Sequence, residues 1–252
     1  MIDIKTKDIS VSIDDKEILK SVSIDAKNGE FVGVIGPNGS GKTTFLKTIY
    51  RYLKPDYGDI FIDGININEF TIKESSKKIS VLSQHNNYDF DFSVMEIVML
   101  GRSPHKKTLE SYSREDYEIA NRALKIVDML DFKDRSFLTL SGGERQRVIL
   151  ARCLCQETGC IILDEPTNHL DIKFQINLMK AVKNLDVTAI SAIHDLNIAA
   201  MFCDKIYILK DGKVVDFGTP DDVITVENIK NVYEVDCEII KKDNRINIIY
   251  KY

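Results

Sequence analysis

Eight consecutive residues, Gly36-Pro37-Asn38-Gly39-Ser40-Gly41-Lys42-Thr43, combine three glycines with an ammonium and a hydroxyl. Glycine lets a backbone turn its N–H groups inward around an oxyanion, and a helix starting at that point adds partial positive charge. Lys42 can then reach the outer phosphates of a nucleoside triphosphate, and the Thr43 hydroxyl can ligate Mg²⁺. The flanks suit this chemistry. Phe31-Val32-Gly33-Val34-Ile35 is an apolar run of strand type, and from Thr44 to Leu53 the apolar residues Phe45, Leu46, Ile49 and Leu53 recur at helical spacing. Strand, glycine-rich loop and helix in that order predict phosphate binding, against the alternative of an incidental glycine turn.

Two carboxylates complete the chemistry. Asp164 and Glu165 follow Cys160-Ile161-Ile162-Leu163, a run typical of a strand buried on both faces. Ligands of open α/β sheets bind at that end of a strand. Asp164 is placed to complete a Mg²⁺ shell and Glu165 to accept a proton from water attacking a γ-phosphate. The plainer reading is two solvated acids at a strand end. A second glycine-rich start, Leu140-Ser141-Gly142-Gly143-Glu144-Arg145-Gln146, lies more than ninety residues on. A serine N-cap followed by two glycines predicts exposed N–H groups at a helix start, a further anion site.

The elements that must position these groups read as an α/β chain. Residues 1 to 30 alternate polar and apolar positions, with Asp14-Asp15 and Asn28-Gly29 as turns, and predict a small antiparallel sheet. Strands are expected at 59–62, 79–82, 160–163 and 188–193. A hairpin is expected around Asp211-Gly212, and a second around Asp243-Asn244. Between about 91 and 155 the pattern is helical. Ser93 and Ser113 open helices, Gly101 stands where a C-cap would, and Tyr117, Ala120, Leu124, Val127 and Leu130 share one face. Because strands alternate with helices on both sides, this block reads as an insertion into one sheet domain.

Of the 252 residues, 34 are basic and 39 acidic, interspersed, so the net charge of −5 offers no patch for nucleic acid. No apolar run approaches the ~20 residues of a membrane span and no signal peptide is visible, which predicts a cytosolic chain. The five cysteines are odd in number, lack paired zinc spacing and read as buried free thiols.

The sequence resembles the ATP-binding cassette (ABC) family, whose LSGGQ-like signature stands here as LSGGERQ. The resemblance runs from about residue 3 to 240. It implies a P-loop NTPase (RecA-like) core with an N-terminal antiparallel β-subdomain, over 1–90 and 156–252, and an inserted helical subdomain over 91–155. It implies ATP and Mg²⁺ as ligands. It also implies a head-to-tail dimer in which Ser141, Gly142, Gly143 and Glu144 of one copy close on the γ-phosphate held by the other copy's loop. Gln84 matches the residue that reaches Mg²⁺ and the attacking water. Thr167-Asn168-His169-Leu170-Asp171 matches the loop of dimer contacts, and His194 matches the switch histidine at the γ-phosphate. Taken alone, a histidine at a strand end is more often structural.

One cassette without membrane spans resembles the separate nucleotide-binding subunits of importers. Val98-Met99-Leu100-Gly101-Arg102-Ser103-Pro104-His105, His194-Asp195-Leu196-Asn197 and Gly218-Thr219-Pro220 resemble the branch serving iron-siderophore, haem and cobalamin uptake. Manganese and zinc importers share part of the pattern. The implied partners are a second copy, integral membrane permease subunits and, indirectly, an extracytoplasmic binding protein, with the chain peripheral on the cytoplasmic face of the membrane. Two rival classes are a soluble ABC ATPase of DNA repair or translation and a non-hydrolysing regulatory module. The first usually carries tandem cassettes or long insertions, which are not visible here; the presence of Glu165 and His194 argues against the second. The family's adenine-stacking aromatic is replaced by Ile13, which forgoes ~0.5–1.5 kcal/mol of ring stacking. ATP and GTP are therefore expected to compete on similar terms, and a strong ATP preference in competition binding would contradict this.

Overall fold

The computed structural model describes residues 1–83, 91–166, 171–242 and 245–251. Its centre is a six-stranded sheet of β4 (Phe31–Ile35), β7 (Ile79–Leu82), β8 (Cys160–Asp164), β9 (Thr188–Ala192), β10 (Lys205–Lys210) and β11 (Lys213–Gly218), in the order β11-β10-β4-β9-β8-β7. All neighbours are parallel except the β10–β11 hairpin. Parallel strands need cover on both faces, and the alternation along them shows two cores. Phe31, Ile35, Ile161, Leu163, Ile206 and Ile208 face one core; Val32, Val34, Cys160, Ile162, Tyr207 and Leu209 face the other.

The second core is closed by the predicted antiparallel sheet and by one helix. That sheet holds β1 (Ile4–Ile13), β2 (Lys16–Val22), β3 (Asp25–Ala26), β5 (Tyr57–Ile62) and β6 (Ile65–Asn66), and the helix is α1 (Lys42–Ile49). The first core is closed by helices. A short α2 (Ile72–Ser76) precedes β7; then α3 (Val94–Met99), α4 (Arg114–Ile126) and α5 (Gly142–Cys155) stand between β7 and β8. After β8 come α6 (Ile172–Lys183), α7 (Leu196–Phe202), α8 (Pro220–Val223), α9 (Val226–Tyr233) and the antiparallel pair β12 (Cys237–Lys242) and β13 (Arg245–Tyr250).

Local signals explain the helix starts. Thr71, Ser93, Ser113 and Ser141 each accept from the N–H three residues on, and the acid at that position answers the serine or threonine N–H. Two local expectations are corrected. Gly101 is not a left-handed cap: the chain continues as a 3₁₀ turn through Leu100–His105, and a Cβ on Gly101 would lie 2.3 Å from the Arg152 carbonyl oxygen. Close approach to α5, not conformation, requires glycine there. On α4, Ala120, Leu124 and Val127 are buried as expected, but Tyr117 is exposed and Asp116, Ile119 and Ala123 take the inner face.

The reason is an ion network. Arg102 Nε meets Asp116 Oδ1 at 3.0 Å, Arg102 Nη1 reaches Glu157 Oε2 and the Cys155 carbonyl, and Lys106 pairs with Asp116. Asp116 is 3% exposed. Burial pushes its carboxyl up, but hydrogen bonds from Lys106, Ser113 and Arg102 outweigh this and hold it well below the usual carboxylate range. The described cysteines are all free and buried, and burial pushes the Cys155 thiol up to about 12.

Since the folded value lies below the unfolded one, Asp116 contributes stability that is complete above about pH 5 and lost as pH falls through its folded range. Asp116→Asn should lower the unfolding free energy at pH 7 by about 3 kcal/mol, the scale for stranding one partner of a buried pair. Urea titrations should show that gap narrowing below about pH 4.

Candidate nucleotide site

The register of the parallel strands gathers the chemistry. Val34 pairs with Ala192, and Ala192 with Asp164. The residues just beyond these rows, Gly36, His194 and Glu165, therefore emerge side by side at one edge of the sheet. Gly36 is fixed by contact: a Cβ there would sit 2.0 Å from the Leu209 carbonyl oxygen.

The loop leads into α1, whose N-cap, Gly41, has φ 101° and no side chain to accept from the first turn; no acid occupies that turn. The contrast with the four helices capped by their own acids is physical. Here the first-turn N–H groups and the helix dipole are left for an external anion. Lys42 is 4% exposed, its ammonium donating to the carbonyls of Gly36 at 2.8 Å and Pro37 at 3.0 Å. Burial lowers its pKa, while the charges of Glu165 and Asp164 pull it back up. A phosphate would stabilise this cation further.

Thr43 Oγ1 donates to Asp164 Oδ1 at 2.9 Å, and Asp164 is 2% exposed. This is a pair of hard oxygen donors of the kind Mg²⁺ takes. Among the described residues no group of three His, Cys, Asp or Glu could hold a metal, so such an ion would depend on water and phosphate oxygens for its other ligands. Glu165 lies in the left-handed region at φ 53°, a strained choice for a glutamate, and its Oε1 is 2.5 Å from His194 Nε2. A carboxylate fixed by an imidazole at the sheet edge is suited to orienting and deprotonating a water.

A cleft of about 330 Å³ over the loop is lined by Asn38, Gly39, Gly41, Lys42, Thr43, Thr44 and Glu165, with Lys16 and Ile18 from β2. Sequence reasoning missed the last two; nothing in their local pattern distinguishes them from other strand residues. Ile13 lies on β1 opposite Lys16, 43% exposed and outside this lining. Ser40, within the loop, is buried with its hydroxyl unpaired.

Ser141, Gly142, Gly143 and Glu144 are not brought to this cleft. Gly143 lines a separate cavity with Val127, Arg147 and Phe174. At the start of α5 the Ser141 N–H and hydroxyl both donate to the Glu144 carboxylate, at 2.8 and 2.7 Å, and the Glu144 N–H donates to the Ser141 hydroxyl. Gly142 has no neighbour within 4 Å of a Cβ position and an ordinary φ, so nothing in this chain demands glycine there. Asp171 is the exposed N-cap of α6, accepting from the Phe174 N–H at 3.0 Å. Gln84 and residues 167–170 lie outside the described residues.

The family model described as "ABC transporter" matches residues 19–168, which include the loop, the signature stretch and both carboxylates. The chain belongs to the ABC transporter family of ATP-binding proteins. The ferric enterobactin transport ATP-binding protein FepC of Escherichia coli K12 is 36% identical over 227 residues, covering 88% of this chain and 84% of that protein. The petrobactin import ATP-binding protein YclP of Bacillus subtilis 168 is 34% identical over 252 residues, covering 98% and 99%. Among solved structures, a metal-chelate type ABC transporter in an inward-facing conformation superposes with TM-score 0.85 at 23% identity, covering 100% of this chain and 97% of that one, a likeness of fold. The dimeric structure of the ABC transporter cassette MJ0796 gives TM-score 0.76 at 32% identity, covering 86% and 98%. As an ABC ATPase, the chain binds ATP. Lys42→Ala should weaken ATP binding at least ~100-fold in titration calorimetry, on the scale of losing a buried charge-assisted contact.

Proposed function

We propose that this chain is the ATP-hydrolysing subunit of an importer for an iron chelate, haem or cobalamin, working as a head-to-tail pair beneath a separate membrane permease. The observation that carries the catalytic part is the uncapped start of α1 with Lys42 beneath it, beside the Glu165–His194 pair. The pairing is supported by the signature helix lying away from the loop cleft of its own chain, and by Gly142, whose open surroundings leave room for another copy's phosphate.

In this reading the α1 N–H groups and Lys42 hold the β- and γ-phosphates. Thr43 and Asp164 hold Mg²⁺, which when bound neutralises charge gathering on the phosphate oxygens. Glu165, oriented by His194, takes the proton of the attacking water, while His194 contacts the γ-phosphate. The partner copy's Ser141–Gly143 start closes the site, which requires the Ser141 hydroxyl to leave Glu144. Gln84 is assigned to the ion and the water by family resemblance. The helices from α3 to α5, over 91–155, form the unit that carries the signature.

The cargo is argued from relatives. FepC and YclP are named for ferric enterobactin and petrobactin, and a haemin import ATP-binding protein HmuV of Hahella chejuensis is 37% identical over 242 residues. No described helix is long and apolar enough to cross a membrane, which agrees with a peripheral subunit joined to a permease and, through it, to an extracytoplasmic binding protein.

Glu165→Gln should keep ATP affinity, lose more than ~100-fold in turnover, and accumulate as an ATP-bound dimer in light scattering. Undiminished hydrolysis would remove Glu165 from the role of base. Co-purification with a permease from detergent-solubilised membranes, followed by uptake assays with labelled ferric siderophore, haem and cobalamin, tests the transport reading.

A further inference from the structure

The C-terminal residues make a specific contact close behind the catalytic pair. Asn197, on the first turn of α7, stands three residues after His194. Its side-chain amide addresses both peptide groups of Ile248 in β13: Oδ1 accepts from the Ile248 N–H at 2.8 Å, and Nδ2 donates to the Ile248 carbonyl at 3.4 Å. An amide doing this replaces a neighbouring strand, giving the hairpin one two-point attachment to the helix. The Ile248 side chain is 5% exposed and belongs to the same core as Leu196, Ile198 and Ala199.

The contact is well placed to matter. Asp195 caps α7, its Oδ1 accepting from the N–H of Asn197 at 2.8 Å and of Ile198 at 3.2 Å. The turn from Asp195 to Ile198, which directly follows His194, is thus tied by its own cap and from outside by β13. Tyr250, two residues further along β13, has its phenol raised by burial and then by the charge of Asp195, so this strand runs past the cap as well. At the other end of the same C-terminal unit, the buried Tyr233 hydroxyl lies against the Gly36 backbone without a well-formed hydrogen bond. The 226–251 segment therefore bears on both the start of the phosphate loop and the turn that presents the imidazole.

We propose that Asn197 is a positioning residue for ATP hydrolysis, with the C-terminal hairpin clamping α7 through it so that His194 stays in register with Glu165. The proposal rests on the reading of His194 as a γ-phosphate contact. Nothing in the clamp touches the phosphate cleft, whose lining contains no residue of α7 or β13. Its loss should consequently be seen in turnover and not in nucleotide affinity.

The test uses the full-length chain. In Asn197→Ala, kcat should fall roughly tenfold, since small misplacements of a catalytic group cost this much or more, while ATP Kd stays within about twofold. Asn197→Asp keeps the acceptor for the Ile248 N–H and should recover part of the loss. The ring signals of His194, assigned by their absence in His194→Gln, should move in Asn197→Ala and return toward wild type in Asn197→Asp. In a double-mutant cycle, adding Asn197→Ala to His194→Gln should lower kcat no further. Unmoved His194 signals, or an additive loss in the cycle, would overturn the proposal. If His194→Gln turns over like wild type, the γ-phosphate reading of His194 fails on its own account, while the His194 signals still decide whether Asn197 holds that ring.

Discussion

Everything at the nucleotide site depends on one helix that is left without a cap of its own. The chain supplies capping boxes to α2, α3, α4 and α5, where an acid three residues in satisfies the serine or threonine N–H. At α1 it supplies a glycine and no acid. The unsatisfied donors, the dipole and a largely desolvated Lys42 concentrate positive potential where two carboxylates already stand nearby. An isolated fold would gain by capping this helix. Its open start makes sense only as one half of an interaction with a polyanion.

The parallel sheet converts that local feature into a catalytic arrangement. Because β4, β8 and β9 run the same way in matched register, whatever follows each strand is delivered to the same edge. The loop lies more than a hundred residues before the carboxylates and the histidine in sequence, and the three need no further device to meet. The signature helix is delivered elsewhere: α5 packs on β7, an outer strand of the sheet, and its Gly143 lines a cavity separate from the loop cleft. Its serine is engaged by Glu144 in the same way that Ser93 is engaged by Glu96.

Legibility followed the range of the interactions. The strand–loop–helix order around Gly36–Thr43, the acids at the end of β8, the serine caps and the alternating strands are written in adjacent residues, and these elements stand where they were expected. Three features were not readable because they are set by distant atoms. Gly101 answers to the Arg152 carbonyl of α5. The inner face of α4 is turned by Arg102 and Lys106 toward Asp116, leaving Tyr117 outside. The cleft wall takes in Lys16 and Ile18 of β2, which no local pattern marks out. Asn197 belongs with these: a polar residue early in a helix carries no mark of the backbone it will meet fifty residues later.

The thiols have a practical corollary. Cys153, Cys155, Cys160, Cys203 and Cys237 are all enclosed, distributed over α5, β8, the end of α7 and the start of β12, and each is disfavoured from ionising by the apolar matter around it. Alkylating reagents act on thiolates, so the native protein presents them with almost nothing. Modification must wait for each region to open, and the order in which the five sites become labelled is a natural record of which parts of the molecule loosen first.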